Sequence, residues 1–258
     1  MKKKIIVFLS AVIFIALPEH SFAWGKKGHQ IVADIAFHYL DSATKLKVQK
    51  YLRQFSFEDA ATWMDDMRSN SYYDYMKSWH YIDIEEGKEY VPLPEKNIVT
   101  VLHAAIMELL DNKSLSNKKI KTDLLLIFHL MGDLHQPLHT GYPIDKGGNL
   151  VNVSFLYKSY HTNLHAVWDD EIIDAKNITA DSCLTYYDSL STSEIALTKK
   201  INITQWMNES RSYLPEVYDF KNGFIDENYV DSNAIVIKKQ LLKAGLRLAF
   251  VLQQIFRS

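Results

Sequence analysis

Apolar residues recur every three or four positions through most of the chain beyond residue 26, the spacing of amphipathic helices. In "GHQIVADIAFHYL", Ile31, Ile35 and Tyr39 form one stripe, with Val32, Ala36 and Leu40 beside it. "SATKLKVQKYLRQF" begins afresh, with Ser42 as its expected cap. "SFEDAATWMDDMR" reads as a short acidic helix, and "NIVTVLHAAIMELLD" and "KTDLLLIFHLMGDLH" as longer, more apolar ones. The last helix, roughly 232–256, carries Ala234, Ile237, Leu241, Ala244, Leu248, Val251 and Ile255 on one face. One stretch departs from this period. "NLVNVSFLYKS" alternates in its first half and follows "DKGG", which predicts a small β-hairpin. Residues 70–95 hold Pro92 and Pro94 and read as loop with at most a short strand. With no repeat or linker, the expected fold is all-α: a single mainly helical domain with a small hairpin.

The first residues belong to a different pattern. Lys2, Lys3 and Lys4 precede a 13-residue, mainly apolar run, and "SFA" ends at Ala23 with small residues at the two positions a signal peptidase reads. That run is short of the about 20 residues needed to span a bilayer. The expected organisation is a signal peptide over 1–23 and one domain over 24–258. The protein is then exported, periplasmic or secreted, with no stable membrane association after cleavage, and is expected to be a monomer.

Cleavage would take 29 basic and 31 acidic residues to 26 and 30, since Lys2, Lys3, Lys4 and Glu19 leave. A mildly acidic chain lacks the basic footprint of a duplex-DNA reader. Cys183 is the only cysteine, so no internal disulfide forms and stability must come from the core or from bound metal.

The candidate chemistry sits at the end of the most apolar segment. In "HLMGDLHQPLH", His129 and Asp133 are four residues apart and share a helix face, and His139 follows after Pro137. In "NLHAVWDD", His165 and Asp169 repeat the four-residue spacing. Two helices that each present a His and an Asp can build a polynuclear metal site in a bundle core, and imidazole with carboxylate suits zinc. The spacing alone leaves open a set of local hydrogen bonds in the core. His38, His103, His135 and His161 read as core, surface or supporting residues.

Several motifs lie in order along the chain: "WGKKGH" at Trp24, "TWMDDMR" at Thr62, "WHYID" at Trp79, "HLMGDLHQPLH" at His129, "GGN" at Gly147, "TNLHAVWD" at Thr162 and "AGLRLAFVL" at Ala244. Together they resemble the secreted zinc-dependent single-strand-specific nucleases, or 3′-nucleotidases, of the S-one / P-one type. The resemblance implies a trinuclear site with three Zn2+ per chain. Asp65, His80, His129 and Asp133 would bind the first; His139, His165 and Asp169 the second; Trp24 and His29 the third, with Asp133 bridging. Trp24 would contribute its free α-amine and carbonyl, so that signal cleavage creates a ligand. Asp65 and Arg68 would be catalytic, and Tyr81, Asp83 and Asn149 would contact substrate. The implied activity is endonucleolytic hydrolysis of single-stranded DNA and RNA to 5′-phosphates, together with hydrolysis of 3′-nucleotides.

Two other readings use the same ligands. A zinc-dependent phospholipase C resembles the same plan, but there the last ligand is usually Glu and the histidines of the second zinc are closer; here the last ligand is Asp169, and His165 lies 26 positions after His139. A non-catalytic zinc-binding protein would need neither Arg68 nor the Tyr81/Asp83 pair.

Overall fold

The computed structural model describes residues 24–92, 94–111, 114–157 and 160–257. The expected signal peptide lies outside these residues. Five long helices fill the first half: α1 (Lys26–Tyr39), α2 (Ser42–Leu52), α3 (Phe57–Asp66), α4 (Ile98–Asp111) and α5 (Asn117–Asp133). The longest helix closes the chain at Glu227–Ile255 and starts a turn earlier than its apolar face predicts. Asp226 explains the early start, because its side chain accepts from Tyr229 N at 2.8 Å and caps the first turn.

α5 is the centre. Every residue from Asp123 to Asp133 is buried, so this helix is covered on all faces. It packs on α3 and α4, while α1 packs on α3 and on the C-terminal helix. The α1 contact is close because Gly245 has no side chain: a Cβ there would lie 2.4 Å from Ile35 Cγ2 and 3.1 Å from Val32 O.

Several local expectations are corrected. Asp41, not Ser42, caps α2: its carboxylate accepts from Thr44 N at 2.8 Å, and Ser42 is already helical. Residues 71–80 form a 3-10 helix, Ser71–His80, rather than loop or strand. Asn70 opens it by accepting from Tyr72 N at 3.1 Å, and Met76 and His80 are its buried positions. The hairpin exists as β1 (Asn152–Phe155) antiparallel to β2 (His161–Asn163). A third strand, β3 (Phe224–Ile225), joins β1 in parallel, pairing Phe155 with Ile225. Two residues carry too little period for any sequence pattern to reveal them. Among the described residues no helix is long and apolar enough to cross a membrane.

Replacing Gly245 by Ala should force α1 and the C-terminal helix apart and cost about 1–3 kcal/mol, the usual range for overpacking. A urea unfolding midpoint unchanged in Gly245→Ala would show that the helix contact yields freely.

Candidate metal centre

Six segments deliver the polar side chains to one buried region. α1 brings His29, α3 brings Asp65, the 3-10 helix ends on His80, α5 brings His129 and Asp133, the turn after it His139, and residues 164–171 bring His165 and Asp169. Three groups result, the first two sharing His129: His29, His129 and Asp133; Asp65, His80 and His129; and His139, His165 and Asp169. Within each, one ligand atom per residue lies within 4.8 Å of the others.

Asp133 stands between three imidazoles. Its Oδ2 lies 3.0 Å from His80 Nδ1 and 3.3 Å from His129 Nε2, and its Oδ1 lies 3.2 Å from His29 Nε2. Asp65 Oδ1 is 3.7 Å from His129 Nε2 and 3.4 Å from the Arg68 guanidinium. In the second cluster His165 Nε2 is 3.1 Å from His139 Nε2 and 3.4 Å from Asp169 Oδ2.

The backbone fixes the outward nitrogen of three histidines. Nδ1 of His129 meets Ala61 O at 2.7 Å, that of His139 meets His80 O at 2.7 Å, and that of His165 meets Gly147 O at 2.6 Å. A carbonyl only accepts, so each Nδ1 carries a proton, and Nε2 is the nitrogen that offers a lone pair to the centre whenever the ring is neutral. Gly147 holds its carbonyl in place with φ +59°, and a Cβ there would lie 2.2 Å from Leu138 O. Gln136, fully buried, donates from Nε2 to Asp169 Oδ1 at 2.7 Å. That bond leaves Asp169 Oδ2 to face His165.

The donors fit a cation better than one another. His139 and His165 aim two lone pairs at each other across 3.1 Å. His29 Nδ1 and Nε2 and Asp133 Oδ1 are buried with no hydrogen-bond partner; the 3.2 Å approach of Nε2 to Oδ1 is not aligned as a bond. Burial holds the carboxyl of Asp169 well above the ordinary range, against the Gln136 amide. Burial also holds His80 down to about 4 in spite of Asp133. At His129 burial opposes the charged form too, but Asp133 and Asp65 outweigh it and raise the imidazole to about 9. Buried polar groups left in this condition are costly, and a divalent ion would satisfy them together.

The sequence-predicted residues are placed as follows. Trp24 is fully buried, and Gly25 N donates to Asp169 O at 3.1 Å. A Cβ on Gly25 would lie 1.5 Å from Asp170 Oδ1, so a side chain there would displace the Asp170 carboxylate. Gly132 plays the same part for His29, whose Nδ1 would be 2.7 Å from a Cβ. Arg68 lies past the end of α3, in a turn where its N–H donates to Asp65 O at 3.0 Å, rather than on the helix face expected. Tyr81 follows His80 and is 43 % exposed. Burial and Asp83 raise its phenol, while Arg68 opposes, which puts these three residues in one electrostatic neighbourhood. Asn149 donates to Lys146 O at 2.8 Å within the glycine turn. His165 and Asp169 do not sit on a regular α-helix: residues Val167–Glu171 are π-helical, a feature frequent at functional sites.

His38, His103 and His161 are exposed and stand outside the three groups. His135 lies just beyond the end of α5 and is fully buried; its Nε2 accepts from Arg247 at 2.7 Å and its Nδ1 donates to Met131 O at 2.7 Å. Sequence reading missed Gln136, Ala61 and Gly147 as supports. Gln136 stood inside the quoted motif, and an amide between two ligands was the available signal.

A family model described as S1/P1 Nuclease matches residues 24–257. Endonuclease 4 of Arabidopsis thaliana is 25% identical, covering 97% of this chain and 95% of its own. Nuclease S1 of Aspergillus oryzae is 26% identical over 91% of this chain and 92% of its own, and Nuclease P1 of Penicillium citrinum 26% identical over 91% and 98%. The chain belongs to the S1/P1 nuclease family and is a hydrolase of phosphodiester bonds.

Proposed function

We propose that the chain is an exported zinc-dependent nuclease that cuts single-stranded DNA and RNA internally, leaves 5′-phosphates and also hydrolyses 3′-nucleotides. The observation that carries this reading is the junction of the three His/Asp groups with an accessible rim, where Arg68 meets Asp65 and Tyr81 stands half-exposed beside His80. A zinc-storage site needs no such rim.

Imidazole nitrogens with carboxylate oxygens suit zinc. Asp65, His80, His129 and Asp133 would hold one ion, His139, His165 and Asp169 a second, and Trp24 and His29 a third that shares Asp133. Zinc supplies Lewis acidity and an ionised water near neutral pH when bound. Asp65 orients the attacking water through its carboxylate. Arg68 turns its planar N–H fork to the phosphoryl oxygens, where charge grows during displacement. Tyr81 offers a ring face to an unpaired base, which a strand within a duplex cannot present. Asp83 reads a base edge: burial, then Asp145, pushes its carboxyl up to about 6 against the pull of Arg211. Above that pH it accepts from an amino group, and below it the protonated acid can donate. Asn149, held in the glycine turn, is the remaining substrate contact.

The sequence of the leader supports export, and the start of the family match at Trp24 supports a mature chain that begins there. The direct test is hydrolysis by the zinc-replete mature protein of single-stranded DNA, RNA, 3′-AMP and phosphatidylcholine. The first three should be cleaved and the lipid left intact. Turnover of the lipid alone would make the protein a phospholipase C, and no turnover of any would leave a zinc-binding protein.

The N-terminus gives a sharper expectation. With Met retained before Trp24, the Trp24 amine becomes an amide, planar, conjugated and very weakly basic. The new amine is displaced by about 3.8 Å along the chain. The third ion should be weak or absent, the two held by side chains should remain, and activity should return when an aminopeptidase removes the Met. Full metal content and activity in the Met-extended protein would mean that Trp24 is only a packing residue.

A further inference from the structure

The 3-10 helix Ser71–His80 carries a feature that metal binding does not require. It leaves the site just after Arg68 and comes back to it at His80, so it borders the mouth on which Arg68 and Tyr81 stand. Its inward positions are Met76 and His80. Its outward positions include two rings, Tyr72 at 75% and Tyr75 at 56% exposed, among Ser71, Asp74, Lys77 and Ser78, and Tyr81 at 43% comes directly after it. Single exposed apolar groups are ordinary, whereas contiguous exposed aromatic surface marks a binding face.

These rings touch in series. Tyr72 meets Tyr73 at 5.1 Å between centroids, Tyr73 meets Tyr75 at 6.4 Å, and Tyr75 meets Trp79 at 5.1 Å. Tyr73 is anchored edge-on against Trp63 of α3 at 5.6 Å. Three of these four contacts are edge-to-face, at 70–86°, a geometry that leaves ring faces uncovered. Cations lie among them. Lys96 Nζ sits 5.0 Å over the Trp79 ring, and Lys77 is paired with Asp74 at 2.8 Å on the solvent side. Exposed ring faces with an ammonium group nearby suit an unpaired strand, since every base has a π-face and each linkage a negative charge.

We propose that this aromatic border is an extended track for single-stranded nucleic acid, on which nucleotides beyond the one at Tyr81 stack against Tyr72 and Tyr75. The inference rests on the nuclease reading. Its occupant is chosen by continuity: the border joins the mouth at both of its ends. Because the rings grip bases away from the cleaved bond, the track acts on strand length and not on the chemistry at the metals.

The test is fluorescence anisotropy with a labelled single-stranded phosphorothioate 12-mer and a labelled dinucleotide, titrated with the zinc-replete mature protein and its Tyr72→Ala/Tyr75→Ala double variant. Loss of base stacking typically weakens binding on the order of tenfold or more per ring. The 12-mer should lose at least that in the variant, while the ratio of 12-mer to dinucleotide affinity collapses towards one. A Tyr72→Phe/Tyr75→Phe variant should keep the ratio, because stacking uses the ring and not the hydroxyl. An unchanged ratio in the alanine variant, or full rescue by Tyr72→Leu/Tyr75→Leu, would overturn the track. Failure of the wild-type protein to hydrolyse ordinary phosphodiester strands would contradict the nuclease reading instead, and the anisotropy ratio would still decide whether the track binds single strands.

Discussion

The carboxylate of Asp133 has no access to water and faces three imidazoles from three different segments. A charge in that position is expensive unless it is paired and hydrogen-bonded. The fold is arranged around meeting this cost. α5 is buried on every side, so its end can lie deep in the molecule. α1, α3 and the 3-10 helix each bring one ligand to that end. One Asp133 oxygen still lacks a hydrogen bond, and the His29 ring lacks one at both nitrogens. The protein alone leaves this polar cluster incompletely satisfied, and a metal ion held there would complete it and so couple metal binding to stability. With Cys183 buried and the only cysteine, no disulfide shares that role.

The centre is also set by the backbone. Carbonyls of Ala61, His80 and Gly147 decide which nitrogen of His129, His139 and His165 is protonated. Those carbonyls belong to α3, the 3-10 helix and the glycine turn, so packing of distant elements is translated into the direction of lone pairs. Bare backbone at Gly28 and Gly132 leaves room for the side chains of Trp24 and His29, which would lie 2.8 Å and 2.7 Å from a Cβ at those positions. Arg247 extends the arrangement outward: it donates to His135, between Asp133 and His139, and pairs with Glu209. This anchors the ligand-bearing turn to the C-terminal helix.

Most of the helices were legible in the sequence, and so were the pairs His129 with Asp133 and His165 with Asp169, for a physical reason. Four-residue spacing puts His129 and Asp133 on one face whatever surrounds them. The same rule applied to His165 and Asp169 named two residues that do come together, but not on one regular α-helix: His165 lies in the short helix Leu164–Ala166 and Asp169 in the π-helical turn Val167–Glu171. What escaped was interaction across space. The Gln136 bond to Asp169 spans 33 positions, and that of His129 to Ala61 spans 68. β3 is too short to show a period, and the rings of residues 72–79 read as loop because a 3-10 helix lacks the 3.6-residue stripe. Trp24, His29, Asp65, Arg68, His80, Tyr81, Asp83 and Asn149 came from resemblance; the structure adds that His29, Asp65 and His80 stand in the clusters and that Tyr81 is coupled electrostatically to Asp83 and Arg68.

We propose that one buried carboxylate, Asp133, serves two metal positions at once. Metal content by inductively coupled plasma mass spectrometry, on the mature protein and its folded Asp133→Asn variant, tests it most directly. An amide keeps the shape and removes the charge, so the variant should lose more than one zinc per chain and keep the ion at His139, His165 and Asp169. Loss of one zinc, or of none, would contradict the claim.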